Sequence, residues 1–100
     1  MDFPQWIKNL PFEQHQFLSF HLESKTCDIY FSEIEQGTFI SEHLHDNTVL
    51  NFVAEGSVTI AIEGKTVTYT TGSWCEIPRN TTHTLKADTK ARLIELWLKS

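Results

Sequence analysis

From Gln16 onward, apolar and polar residues alternate in short runs separated by polar or glycine-bearing turns. A period of two is the pattern of a β-strand with one buried face. The first run sets Leu18, Phe20 and Leu22 against Phe17, Ser19 and His21; the wholly apolar side is expected to face the core. Residues 27–35, 39–45, 48–54, 57–63, 66–70, 74–77, 83–86 and 91–98 read as further strands. In the last of these, Leu93, Glu95 and Trp97 alternate with Ile94, Leu96 and Leu98. Gly37, Gly56, Gly64 and Gly72 supply turns, and Pro78 stops pairing on one edge. Residues 1–14 read as an irregular lead-in, in which Pro4 and Pro11 bracket room for one helical turn with Trp6, Ile7 and Leu10 on its apolar side. Many short strands at regular spacing predict an all-β sandwich or barrel. No linker or internal repeat divides the chain, so residues 1–100 are expected to form a single domain.

Composition narrows the function classes. With 40% hydrophobic and 21% charged residues, the chain has the make-up of an ordinary globular domain. Its formal net charge of −5 argues against a nucleic-acid or anionic-membrane partner, both of which call for a basic face. No apolar run is long enough to span a bilayer and none follows a basic start as a signal peptide, so a cytoplasmic location is expected. Cys27 and Cys75 are too few and too far apart for a disulfide framework or a paired-thiol zinc motif; both read as small buried thiols.

The chemistry lies in the histidines. His43 and His45 are spaced i, i+2, which places two imidazoles on one face of a strand and makes half of a metal site. The other half should come from a neighbouring strand, and His83 is the candidate. His15 and His21 precede these motifs and read as solvated or edge residues. Glu42, Glu63 and Glu95 read as solvated charges, with Glu95, amid an apolar strand, the one whose orientation matters most. There is no phosphate loop, nucleophile elbow or carboxylate pair, and no catalytic residue is assigned.

Residues 37–56 resemble the first cupin motif: Gly37, five residues, His43-x-His45, position 49, and Gly56. Residues 72–87 resemble the second: Gly72, Pro78, Asn80, His83 and Ala87. The resemblance implies a double-stranded β-helix, a jelly-roll barrel, that often forms a homodimer, with a small-molecule pocket inside it. It also implies a divalent metal on His43, His45 and His83. Three positions depart from the pattern. Val49 stands in place of the usual glutamate ligand, Asn80 in place of a glycine, and Ala87 in place of an asparagine. Without that glutamate, three neutral imidazoles remain. They suit Zn, Fe, Ni, Cu or Mn, leave the ion its full charge, and so favour a small anionic or chelating ligand. Regular alternation puts Asn51 on the same side as Val49, where its amide could hydrogen-bond such a ligand. Phe52, Trp74, Cys75 and Trp97 complete the expected pocket lining, although core packing explains the aromatics equally well. Two readings stand side by side: a metal-dependent enzyme, dioxygenase-like or isomerase-like, and a non-catalytic module that binds or senses a small molecule with or without metal.

Overall fold

The computed structural model describes residues 2–99; Met1 and Ser100, the ends of the expected domain, lie outside the described residues. A single helical turn, α1 (Gln5–Lys8), is followed by ten strands: β1 (Phe12–Gln14), β2 (Leu18–Glu23), β3 (Cys27–Ile34), β4 (Phe39–His43), β5 (Val49–Glu55), β6 (Ser57–Ile62), β7 (Lys65–Thr70), β8 (Trp74–Ile77), β9 (His83–Ala87) and β10 (Ala91–Leu98). They form two antiparallel sheets in the orders β1-β2-β3-β10-β5-β8 and β4-β9-β6-β7. The sheets close face to face as a jelly-roll barrel. Among the described residues no helix is long and apolar enough to cross a membrane.

The interior is divided along its length. One end is filled by Ile34, Val53, Val58, Ile60, Ala91 and Leu93, none more than 1% exposed. Alternation carries these residues inward: Val53 and Leu93 are partners across β5 and β10, and Ile60 stands opposite Leu85 across β6 and β9. The other end sets His43, His45, His83, Asn51 and Glu95 among apolar side chains around an interior cavity.

A second core lies outside the barrel. The apolar side of β2, expected to face the interior, points the other way. Phe20 is buried with Phe31, Phe3 and Ile7, and Leu18, Leu22, Ile29 and Ile94 pack around them. Inward from β2 and β3 point Ser19 and Ser32, whose hydroxyls lie 2.8 Å apart. The physical reason is the cover supplied by the N-terminal segment. Residues 3–10 lay Phe3, Ile7 and Leu10 on the sheet, and Phe3 and Trp6 meet the Phe31 ring edge-on at 5.8 and 5.9 Å. Burial of each large side chain there is worth about 2 kcal/mol. The lead-in is also less irregular than expected, because Phe12–Gln14 pairs with β2. Arg92 fastens this cover. Its guanidinium is buried beside Glu33 at 3.2 Å and Glu55 at 2.7 Å, and it reaches Asp2 at 3.6 Å.

Gly56, between β5 and β6, has φ +94°, and a Cβ there would collide with the Lys90 carbonyl oxygen and lie 2.8 Å from Thr89 Oγ1. Gly37 has a similar φ of +86° but open space around it. Gly56→Ala is therefore expected to cost about 3 kcal/mol and Gly37→Ala about 1 kcal/mol. Urea unfolding of both variants checks this, and equal losses would show that the close approach at Gly56 carries no weight.

Candidate metal centre

The three histidines converge from two strands and a loop. His43 ends β4, His83 begins β9, and the two are direct partners in the antiparallel pairing. Three positions before His43, Ile40 stands opposite Leu85, so the register slips and β4 carries one extra residue. Such a bulge reverses the parity of a strand. Ile40 and His43, an odd number apart, consequently line the same interior cavity. His45 lies just past the strand end, and its carbonyl accepts a 2.6 Å hydrogen bond from the Asn80 N–H. Asn80 has φ 57°, the left-handed conformation that asparagine adopts more readily than most residues with side chains. The loops that follow β4 and precede β9 are thereby tied together.

The ring centroids lie 4.1 Å apart for His43 and His83, 4.8 Å for His43 and His45, and 5.1 Å for His45 and His83. One nitrogen from each ring lies within 4.8 Å of the others. The Nδ1–H of His43 donates to the Ser41 carbonyl at 2.7 Å, and that of His83 to the Thr81 carbonyl at 2.9 Å. A carbonyl can only accept, so in both rings Nδ1 carries a proton, and in the neutral tautomer that this selects the lone pair is on Nε2. Burial lowers the His45 pKa to about 4, with help from the neighbouring His43 and His83. Burial also lowers that of His83, against the hydrogen bond to Thr81. Neutral imidazoles with an oriented lone pair are what a first-row metal requires. Three such nitrogens within 4.8 Å of one another could hold one ion of this kind between them. The donor set fits such an ion.

The cavity beside the histidines has a volume of about 200 Å³. Of the residues expected to line it, Val49, Asn51 and Trp97 do so from the six-stranded sheet. Val49 is 2% exposed and puts a hydrocarbon surface into this cavity. The Trp97 ring lies 4.3 Å from that of His45. Cys75 is buried in the apolar core, where burial pushes its thiol pKa up and leaves it unreactive. Phe52 and Trp74 are out of the cavity. Each is one residue from an inward position, Asn51 and Cys75, so the pleat turns both to the outer face, with ring centroids 4.8 Å apart. His15 is exposed beside Glu13, and His21 contacts Asp28 at 2.8 Å and stacks on Tyr30; neither joins the cluster.

Glu95 is the correction of most consequence. Glu42 and Glu63 are exposed, as read, but Glu95 turns inward and lines the histidine cavity. It accepts a hydrogen bond from Ser32 Oγ at 3.3 Å. Burial raises its pKa to about 7, against the effect of that bond. Its partner across β5 is Asn51, 1% exposed, whose amide oxygen and nitrogen both lack a hydrogen-bond partner. Glu95, Trp97 and Phe17 also line an adjoining cavity of about 230 Å³ that reaches Ser19 and Tyr30.

Comparison with known proteins places these features in context. The Cupin domain family model matches residues 30–99. Comparison with the curated proteins returns no significant match. Among solved structures, an RmlC-like cupin from Shewanella frigidimarina superposes with a TM-score of 0.83 at 17% identity, covering 93% of this chain and 86% of that one. A conserved protein of unknown function from Streptococcus pyogenes gives 0.79 at 20% identity, over 99% and 88% of the two chains. A variant of the Bacillus subtilis oxalate decarboxylase, an enzyme described with Mn(II) centres, gives 0.82 at 12% identity, over 92% of this chain and 28% of that one. At these identities the likeness concerns the fold.

The buried carboxyl makes a pH-dependent contribution. A folded pKa near 7, above the ordinary 4.5, means that the penalty for burying the ionised carboxylate is absent below about pH 4.5 and grows until pH has risen through 7. Glu95→Gln should therefore gain about 3 kcal/mol on the metal-free parent between pH 4 and pH 8. Urea unfolding of both proteins at the two pH values measures it, and a pH-independent difference would place the carboxyl in water.

Proposed function

This chain belongs to the cupin family, and on that footing we propose that it binds one divalent transition metal through His43, His45 and His83, and with it a small anionic or chelating molecule in the barrel. The observation that carries the reading is the convergence of three imidazole nitrogens within 4.8 Å, two of them with Nδ1 tied to a backbone carbonyl. The ion, when bound, would supply a positive centre that polarises an oxygen of the ligand. The chain's own residues divide the remaining work. The Ser41 and Thr81 carbonyls hold His43 and His83 in orientation. Val49, Ile77 and Leu85 keep the floor of the cavity apolar and restrict water. Glu95 supplies a carboxyl able to hold or accept a proton within the cavity, the group a metal-dependent isomerase-like or dioxygenase-like reaction would need. A non-catalytic binding or sensing role is the second reading, favoured by the hydrocarbon of Val49 where the family motif supplies an anionic ligand.

Elemental analysis of untagged protein tests the metal. One equivalent of Zn, Fe, Ni, Cu or Mn per chain is expected, lost in His83→Ala and in the His43→Ala/His45→Ala double variant. The metal should also raise the thermal midpoint of the parent and leave that of His83→Ala unchanged. Absence of metal after reconstitution with each ion would overturn the reading.

A further inference from the structure

The wall facing the histidines is built for more than hydrocarbon. Asn51 and Glu95 are cross-strand partners, both point into the cavity, and Val49 and Trp97 are the next inward pair along the same two strands. Both amide atoms of Asn51 are buried without a partner, and so is the indole N–H of Trp97. Ser32 reaches only Oε1 of Glu95. Each orphaned buried polar atom costs about 1–3 kcal/mol, so such a group in a folded protein marks a place where something else supplies the bond.

The required partner can be narrowed by its chemistry. Asn51 offers one donor group and one acceptor side by side, with a carboxyl next to it. A carboxylate accepts only, so it would leave the Asn51 oxygen unsatisfied and set a negative charge beside Glu95. An ammonium donates only and would share a small cavity with a dication. A hydroxyl donates and accepts through a single atom and fits both groups. The anionic end of the same molecule belongs on the opposite side, at the histidines. We infer that the Asn51–Glu95 pair is a hydroxyl subsite, and that the ligand of this barrel is a small hydroxy acid whose carboxylate lies at the histidine trio and whose hydroxyl bridges Asn51 and Glu95. The inference rests on the metal reading above and adds the ligand class to it.

The test uses the zinc-loaded full chain, with zinc content measured in every sample. Butyrate and 2-, 3- and 4-hydroxybutyrate are titrated separately while the side-chain amide and indole signals are followed by proton–nitrogen NMR. At least one hydroxybutyrate should bind about tenfold more tightly than butyrate, as one satisfied hydrogen-bond pair predicts, and should shift the Asn51 amide signals. In Asn51→Val that ratio should fall to within about twofold of one. Glu95→Leu, prepared in parallel in case either variant fails to fold, should lower it in the same way. Ratios near one for all three hydroxy acids in the parent would mean that water alone fills the subsite and would overturn the inference with the metal reading intact. A ratio that survives both substitutions would also overturn it. Failure of the parent to take up zinc, and of the other ions to replace it, would bring down the metal reading and this inference together.

Discussion

Strand β10 is paired along its whole length with β3 on one side, and with β5 on the other from Arg92 to Trp97. That double pairing fixes which of its residues face inward. Leu93, Glu95 and Trp97 enter the barrel, and Ile94 joins the outer core under the N-terminal segment. The same register aligns Val53, Asn51 and Val49 with them, one rung at a time. The sequence of chemistry along the interior, from apolar plug to polar pair to indole beside the histidines, is therefore a property of one ladder. None of these groups can change sides without a slip of the entire strand.

The two ends of the barrel have opposite roles. The end built around Val53, Val58, Ile60 and Leu93 is closed and apolar, and supplies the burial on which stability rests. The other end holds a buried amide without partners, a carboxyl whose pKa burial raises, and the His45 and His83 imidazoles, whose pKa values burial lowers, each unfavourable to the folded state alone. The outer core helps to offset that expense, since Phe3, Ile7, Phe20 and Phe31 bury a second apolar layer on the sheet that carries the polar wall. Arg92, buried among Glu33, Glu55 and Asp2, ties the layer to the strand that bears Glu95.

Much of this was legible in the sequence, for definable reasons. Turn glycines and period-two alternation reveal short strands, and the resemblance of residues 37–56 and 72–87 to the two cupin motifs implies that His43, His45 and His83 meet in the fold. The orientation of faces was less legible. Leu18, Phe20 and Leu22 are apolar whether they fill a barrel or underlie a cover, and alternation does not distinguish the two. Phe52 and Trp74 were aromatic enough for a pocket wall, but their parity, countable against Asn51 and Cys75, places them outside. Glu95 gave a usable sign, a single carboxylate in the apolar run from Leu93 to Leu98. The extra residue in β4 gave none, because nothing in Ile40-Ser41-Glu42-His43 signals a bulge.

That extra residue carries a consequence for the history of such a chain. Between Ile40 and His43 the strand is one residue longer than its partner requires, and the surplus is what keeps both side chains on the inside. Loss of one codon there would leave an ordinary, fully paired strand, yet it would put either Ile40 or His43 on the outer surface. A barrel of this kind can thus pass between a complete and an incomplete histidine set through one short deletion or insertion, with every histidine still encoded. Descendants of one ancestral gene could differ in metal binding while every motif residue remained in place, and a reader of their aligned sequences would find the cause only in a gap.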